Sequence, residues 1–322
     1  MTGSPPPRRR SNRCSPIGRA ISRSRTSTAN HALEAYLRDA RARVDAALEQ
    51  WGARAGTWWR DPLPEAIRYS LLSAGKRLRA TLVFASAEAV AASGGDGGKR
   101  PGLAEVAAAV EVVHAYSLVH DDLPCMDNDD LRRGRPTTHR AFDVRTATVA
   151  GYHMVALGAR VLDAGMAALA LDMSCRRAIA LELFRAAGGG GMIGGQALDL
   201  RAEGRRVPPA ELEGVHRRKT GALIAAACVI GGLAAGAPAA TCEALRAYGA
   251  DVGLAFQIYD DVLDATAPSE RGKTTFVTLL GVGGARAEAE RLAARAVDRL
   301  RQAALVSPTL AELAHYIVTR PN

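Results

Sequence analysis

Two clusters of aspartates, each at the end of an apolar stretch with helical spacing, constrain this chain more than any other feature. The first is DDLPCMDNDD at 121–130, and the second is DDVLD at 260–264. Carboxylates are strongly solvated and are seldom fully buried unless they are paired or bound to a metal. We therefore expect two helices to bring both clusters to one divalent-cation site. Because Mg²⁺ is commonly held by a few carboxylates together with substrate phosphates, the clusters also predict a phosphorylated substrate.

The spacing inside both segments places polar side chains on one face of each helix. His114 and Asp121 lie seven residues apart in the first segment, and Gln257 and Asp264 do so in the second. Residues at that spacing share a helix face. Each helix therefore directs a polar row toward a common space, while its other positions remain apolar.

Helical periodicity recurs from residue 31 to the end of the sequence, for example over 31–50 and 64–91, with little of the alternation typical of strands. Aromatic residues make up only 5% of the chain and Ala and Gly are abundant, which favours closely packed helices. The uncharged run at 221–241 approaches membrane-span length, but its Ala/Gly content and Pro238 favour a buried core helix. We predict one all-α domain at 31–322.

The positive charge of the chain is concentrated in its first thirty residues. The formal net charge is +9, but residues 1–30 contain seven arginines and no acid, so about +2 remains for the rest. The folded part is nearly neutral, which argues against a nucleic-acid-binding face. We predict a disordered Arg/Ser/Pro-rich leader at 1–30, with an organelle transit peptide as the alternative. The five cysteines form no CxxC pair, which fits a reducing, cytoplasmic setting.

Small basic groups accompany the aspartates along the chain. GKRLR at 75–79 follows a predicted apolar helix at 66–74, and Arg132 and Arg133 follow the first cluster at once. The remaining groups are Lys219-Thr220 and Lys273. Arginine pairs bidentately with phosphate oxygens, although basic helix ends and simple charge balance are ordinary alternatives. Together with two acidic clusters, these groups suit a metal–diphosphate site.

Five motifs in a fixed order resemble the trans-polyprenyl diphosphate synthase family over 31–322, most nearly its bacterial-type farnesyl diphosphate synthases. They are YSLLSAGKRLRA (69–80), HAYSLVHDDLPCMDNDDLRRGRPTTH (114–139), GMIGGQALDL (191–200), HRRKTGALI (216–224) and GLAFQIYDDVLD (253–264). The resemblance implies an isoprenoid-synthase-type helical bundle around a deep central cavity.

The resemblance also implies an activity. We expect a Mg²⁺-dependent prenyltransferase that condenses isopentenyl diphosphate with dimethylallyl or geranyl diphosphate to give farnesyl diphosphate, with about three Mg²⁺ ions per site. The alternatives are a geranylgeranyl (C20) diphosphate synthase and a catalytically impaired homologue that partners an active synthase. A homodimer is expected, without nucleic acid and without stable membrane insertion.

Residue roles follow from the resemblance by matching position. The metal ligands are expected to be Asp121, Asp127, Asp260, Asp261 and Asp264. The residues expected to bind the substrates are Lys76, Arg79, His114 and Arg133 for isopentenyl diphosphate, and Arg132, Lys219, Thr220, Gln257 and Lys273 for the allylic diphosphate. The residues expected to take part directly in catalysis are Asp121, Asp122, Asp127, Arg132, Lys219, Gln257 and Asp260.

Product length is expected to depend on Tyr116 and Ser117, which lie about one helical turn before the first cluster. In the family an aromatic residue at this position accompanies the C15 product. Two departures from the family pattern put full activity in doubt: Tyr152 replaces the usual aspartate, and a loop usually found after Thr274 is missing. Because such loops exclude water from active sites, its loss predicts a slow or leaky enzyme.

Overall fold

A computed structural model describes residues 17–94, 100–265 and 274–321, with side chains from residue 31 onward. Within these ranges the chain is almost entirely helical, so the predicted all-α class is confirmed. The helices are α1 Ile17–Ala55, α2 Leu63–Leu71, α3 Leu78–Ala92, α4 Leu103–Asp121, α5 Thr138–Ala141, α6 Val144–Ala168, α7 Met173–Ala187, α8 Met192–Ala202, α9 Pro209–His216, α10 Ala222–Ala234, α11 Ala239–Asp264, α12 Phe276–Gln302 and α13 Pro308–Ile317. A π-helical segment, Arg217–Gly221, joins α9 to α10.

Helices α4 and α10 form the centre of the bundle. α4 packs against α1, α2, α3, α6 and α10, and α10 packs against α3, α7 and α11. Nearly every side chain of α10 is buried, which confirms the predicted core helix in the uncharged run. α4 is long and apolar enough to cross a membrane, but 72% of that stretch is buried inside the bundle. Its composition is therefore explained by its central position.

The helical pattern over 64–91 is interrupted between α2 and α3. The prediction of continuous helical periodicity there, and of a helix at 66–74, is therefore wrong. α2 ends at Leu71 and α3 begins after Arg77, which adopts a left-handed conformation with φ of 49°. The buried Arg77 guanidinium donates hydrogen bonds to the carbonyls of Leu71 (2.9 Å) and Ser73 (3.2 Å) and to Asp45 (2.8 Å). These bonds satisfy carbonyls that a helix end leaves unpaired, so the side chain stabilises the break.

A two-residue hairpin after the first aspartate cluster is the one β element in the described ranges, and the sequence pattern did not predict it. Strand β1, Leu131–Arg132, pairs antiparallel with β2, Arg135–Pro136. The turn residues Arg133 and Gly134 have φ of 54° and 75°, the positive values of a two-residue hairpin turn. The hairpin fixes the direction in which the two adjacent arginines leave the backbone.

Parts of two predictions lie outside the described residues. Residues 1–16 of the predicted leader and Lys273 are not covered, while α1 begins at Ile17, before the predicted domain start. Thr275 caps α12 through reciprocal hydrogen bonds with Thr278, so this helix begins directly after Thr274 with no intervening loop.

Candidate active site

The first aspartate cluster forms a compact turn at the end of α4. The Asp127 N–H donates to the Asp121 carbonyl at 2.8 Å, and the Asn128 N–H donates to the Leu123 carbonyl at 3.1 Å. Asn128 has a φ of 53°, a conformation that asparagine tolerates better than most residues. The turn therefore returns the chain so that Asp121 and Asp127, six residues apart, belong to one acidic surface.

Asp122 faces a different partner from its neighbour. Its buried carboxylate accepts from two nitrogens of Arg132, at 2.5 and 2.6 Å, and Arg132 also donates to Asp129 at 3.1 Å. Burial raises the pKa of Asp122, whereas the bonds from Arg132 oppose that effect. The structure thus makes Asp122 the residue that orients Arg132, while Asp121 is left available for other ligands.

Asp121 lies in surroundings that disfavour its charge. Burial and the nearby Asp127 raise the pKa of Asp121 to about 6, although the Lys219 ammonium acts in the opposite direction. An ionised carboxylate that is buried and has few positive charges nearby is destabilised until a cation approaches. Asp121 therefore has the electrostatic character expected of a ligand to a divalent cation.

The four residues predicted to bind isopentenyl diphosphate line one cavity of about 480 Å³. They are Lys76, Arg79, His114 and Arg133. Asp260 of the second cluster and Arg320 also line it. Basic side chains gathered around one cavity repel one another, and burial together with neighbouring arginines lowers the pKa of Lys76 and Arg79. A bound polyanion would relieve that repulsion, so the cavity is suited to a diphosphate.

Two local features shape this cavity. Arg133 donates to the Ala74 carbonyl, and a Cβ at Gly75 would lie 2.6 Å from the Arg133 guanidinium, so a larger residue there would make this guanidinium shift. Burial and the surrounding arginines hold the pKa of His114 well below its usual range. His114 is therefore neutral near pH 7 and offers one ring N–H to an anionic ligand.

Three of the predicted allylic contacts, Lys219, Thr220 and Gln257, lie where α8, the π-helical segment and α11 meet. Lys219 forms an ion pair with Asp199 at 2.6 Å, and the Thr220 hydroxyl donates to the Gln257 side-chain oxygen at 2.9 Å. The Gln196 amide donates to Asp127 at 3.1 Å, which connects α8 to the first cluster. π-Helical turns are frequent at functional sites, and this one presents Lys219 and Thr220 side by side.

The second aspartate cluster is engaged by other parts of the protein. Asp260 is ion-paired with the buried Arg320, and Asp261 accepts from the Phe276 N–H at 2.8 Å at the start of α12. Burial raises the pKa of Asp260, and it raises that of Asp261 to about 6. Asp264 is exposed at the end of α11. Of the predicted ligands here, Asp260 lines the basic cavity, whereas Asp261 stabilises a helix start.

The predicted chain-length residues lie buried on α4. Tyr116 packs edge-on against His120 at 5.8 Å between ring centroids, and Ser117 donates to the His114 carbonyl at 2.8 Å. His120 in turn packs against Tyr152 at 5.2 Å, and Tyr152 is 67% exposed on α6. A Cβ at Gly151 would lie 2.0 Å from the His120 ring, so this glycine makes room for it. The unusual Tyr152 therefore contacts the helix turn that carries Tyr116.

The donor set fits Mg²⁺ only if a ligand supplies part of the coordination. In residues 17–94, 100–265 and 274–321, no three His, Cys, Asp or Glu side chains converge closely enough to hold a metal alone. Asp127, which lies near Asp121, nevertheless contacts Gln196, whose buried side-chain oxygen has no hydrogen-bond partner among the described residues. Carboxylate and amide oxygens together with phosphate oxygens are the donors that Mg²⁺ takes in proteins.

Comparison with known proteins identifies the family. A family model described as polyprenyl synthetase matches residues 60–278. The chain belongs to the polyprenyl synthetase family. It is 42% identical over 277 residues to farnesyl diphosphate synthase of Escherichia coli strain K12, covering 80% of this chain and 89% of that protein. It is also 39% identical to geranylgeranyl pyrophosphate synthase 9, chloroplastic, of Arabidopsis thaliana, covering 81% of this chain and 74% of that protein.

Solved structures of the polyprenyl synthetase type share the fold. The crystal structure of an FPP/GFPP synthase from Zymomonas mobilis superposes with a TM-score of 0.76 at 36% identity, covering 87% of this chain and 98% of that one. A geranyltransferase from Legionella pneumophila gives a TM-score of 0.77 at 36% identity, with 92% and 98% covered. The family resemblance predicted from the five sequence motifs is thereby confirmed.

Three polar residues of this polyprenyl synthetase site were not assigned a role from the sequence. Gln196 and Asp199 lie inside the motif GMIGGQALDL, so their position in a motif was the available signal. Arg320 had no such signal, because it follows the apolar helix α13 as an ordinary basic residue near a helix end. Only the fold brings it to Asp260, sixty residues earlier in the chain.

Proposed function

We propose that the protein is a Mg²⁺-dependent farnesyl diphosphate synthase that condenses isopentenyl diphosphate with dimethylallyl or geranyl diphosphate. The observation that carries this proposal is the grouping of Lys76, Arg79, His114 and Arg133 around one cavity beside Asp260. A second set of polar residues, at the ends of α4 and α8, provides a separate place for an allylic diphosphate. The names of the relatives described above support the same reaction.

The basic cavity would hold isopentenyl diphosphate. Lys76, Arg79 and Arg133 supply the positive charge, and neutral His114 supplies a directed N–H. Arg132, held by Asp122 and Asp129, lies next in the chain to Arg133. The hairpin therefore presents two adjacent arginines. We assign Arg132 to the allylic diphosphate and Arg133 to isopentenyl diphosphate.

The allylic side would bind and ionise the second substrate. Asp121, Asp127 and Asp260 would hold Mg²⁺, and the count of about three ions stays a prediction. When bound, Mg²⁺ neutralises the charge on the diphosphate and makes it a better leaving group. Lys219 and Arg132 stabilise the same developing charge from the protein side. The Thr220 hydroxyl donates to the Gln257 side-chain oxygen, and this pair would stabilise the allylic cation.

The bond changes require no side-chain nucleophile. The carbon–oxygen bond at C1 of the allylic substrate breaks, and its electron pair leaves with the diphosphate. The double bond of isopentenyl diphosphate then attacks C1 to form the new carbon–carbon bond, and a proton passes to the departed diphosphate. The site residues therefore act by positioning and electrostatic stabilisation.

Assembly and location complete the proposal. α6 exposes Val144 at 46% and Tyr152 at 67%. The family resemblance implies an assembly of two copies. We propose that the protein is a homodimer and that it acts in the cytoplasm.

An elongation assay tests the proposed reaction. The purified protein is incubated with isopentenyl diphosphate, geranyl diphosphate and Mg²⁺, and products are separated by chain length after dephosphorylation. A C15 product is expected, and it should disappear when Mg²⁺ is chelated. A complete absence of elongation would overturn the proposal and favour the alternative of an impaired partner subunit. Products of C20 or longer would overturn only the chain length, in line with the geranylgeranyl relatives.

A further inference from the structure

Arg320 is a buried cation whose principal charged partner is Asp260. Only 2% of Arg320 is exposed, and its guanidinium donates to the Asp260 carboxylate and to the Ile317 carbonyl. The guanidinium also lies over the Phe256 ring at 4.2 Å from its centroid, and 5.4 Å from that of Tyr259. A buried charge is tolerated when it is paired in this way, so removal of Asp260 as a partner would require a replacement anion.

The same guanidinium lines two adjoining cavities, which share Lys76 and Phe256 in their lining. The first is the basic cavity of about 480 Å³, which Arg79 also lines. The second is a cavity of about 170 Å³ that Tyr316 and Ile317 also line. Arg320 therefore has open space next to its contact with Asp260. Another side-chain rotamer could place its guanidinium in the basic cavity.

We propose that Arg320 is a displaceable counter-ion of Asp260 and a further ligand of the isopentenyl diphosphate site. In the empty site it neutralises Asp260. When a divalent cation binds Asp260, Arg320 leaves that carboxylate and pairs with the diphosphate in the basic cavity. This inference rests on the proposed function, since it assigns both ligands to the same reaction.

Electrostatics make the two binding events depend on each other. Arg320 bonds the Asp260 carboxylate through Oδ1, and a divalent cation on the same carboxylate repels the guanidinium, so the cation competes with Arg320. Once displaced, Arg320 adds a positive charge to a cavity that already holds several, and only an added anion offsets it. Cation and diphosphate therefore favour one another, and the coupling must be reciprocal.

Calorimetric binding, which needs no turnover, tests this proposal. Isopentenyl diphosphate alone is titrated into the wild-type protein and into Arg320→Met, each with and without Mg²⁺. For the wild type, Mg²⁺ should strengthen binding about tenfold. For Arg320→Met, binding at saturating Mg²⁺ should weaken about tenfold, and the effect of Mg²⁺ should fall below threefold.

Arg246→Met is the matched control, because Arg246 also forms an ion pair on α11, with Glu182 at 2.5 Å. It should leave the wild-type coupling unchanged. Arg320→Lys keeps the charge without the planar guanidinium, and it serves if Arg320→Met does not fold. It should retain part of the affinity for isopentenyl diphosphate and part of the coupling.

Two outcomes separate this inference from the proposed function. If both Arg320 variants bind isopentenyl diphosphate with the wild-type affinity and the wild-type response to Mg²⁺, Arg320 is a fixed structural ion pair and the inference is wrong. If the wild-type protein binds no isopentenyl diphosphate at all, the proposed function fails and this inference fails with it.

Discussion

The two aspartate clusters are similar in sequence but differ in what already occupies them. In the first, a hairpin arginine engages Asp122 and leaves Asp121 without a hydrogen-bonded cation in the described residues. In the second, Asp260 is paired with Arg320, and Asp261 binds the backbone of α12. The first cluster is therefore open to a cation as it stands, whereas the second must exchange a partner. A DDxxD-like pattern alone does not reveal this difference.

The largest expected effect concerns the open cluster. Asp121→Ala removes a carboxylate that we assign to Mg²⁺, so kcat for elongation should fall at least about 10³-fold. The measurement is steady-state elongation at saturating Mg²⁺. Asp130→Ala is the matched control in the same cluster, because Asp130 is exposed and, among the described residues, its carboxylate pairs with Arg140. Activity within threefold of wild type is expected for it. An Asp121→Ala enzyme that keeps a tenth of its activity would contradict the assignment.

Two substitutions in the second cluster separate the contribution of the Asp261 charge from that of its hydrogen bond to the start of α12. Asp261→Asn retains an oxygen that can accept from the Phe276 N–H, but it loses the negative charge. Asp261→Ala loses both. We expect Asp261→Ala to have a lower free energy of unfolding than Asp261→Asn by about 1–2 kcal/mol, measured by urea denaturation, because only the asparagine keeps the acceptor for the Phe276 N–H.

Elongation assays on the same pair of variants decide what the charge contributes. If Asp261 also ligates a cation, both variants should lose about 10²-fold in kcat. If its role is confined to α12, the asparagine variant should be nearly as active as wild type. The result shows whether the two clusters differ in how many of their carboxylates bind metal.

Tyr116 tests the chain-length interpretation beside the open cluster. Tyr116→Ala should shift the main product from C15 to C20 or longer, because it removes a buried ring from α4 about one turn before Asp121. Elongation rate should fall less than about tenfold, since no charge is removed. Ser117→Ala tests the other predicted chain-length position, and it should shift the product distribution less because it removes only a hydroxyl. An unchanged C15 product from Tyr116→Ala would mean that Tyr116 packs in the core and does not limit the length of the product.

The helices were predictable because their apolar spacing and their burial agree. The uncharged run at 221–241 is the clearest example, since α10 is buried on every side. The break between α2 and α3 was not predictable. It depends on Arg77 reaching Asp45 on α1 and the carbonyls of α2, contacts that local periodicity cannot contain.

Some features of the candidate site were likewise predictable from the sequence, and others were not. Lys76 and His114 lie in recognisable motifs that predict contacts to isopentenyl diphosphate, and the fold brings both residues to the basic cavity. The pairing of Asp122 with Arg132 and of Asp260 with Arg320 was not foreseen. Both depend on where a hairpin or a distant helix places a guanidinium, which spacing along one helix cannot indicate.

The smallest expected effect is a dependence of stability on pH that arises from the open cluster. The pKa of Asp121 in the folded protein is about 6, above the ordinary value of 3.8, so the folded state holds this proton more tightly than the unfolded state. Without Mg²⁺ or substrate, protonation of Asp121 should therefore stabilise the protein progressively as pH falls from about 7 to about 4. Asp121→Asn, which resembles the protonated acid, should be more stable than wild type by about 1–2 kcal/mol at pH 8.

Comparison of these two proteins isolates Asp121 from the other titrating groups. The free energy of unfolding is measured by urea denaturation from pH 5 to pH 8, and the advantage of Asp121→Asn should shrink toward the acidic end. Mg²⁺ with inorganic diphosphate should reverse the order at pH 8, because the ligand favours the ionised carboxylate of the wild type. A difference between the two proteins that is constant with pH would mean that Asp121 is not strained in the empty site.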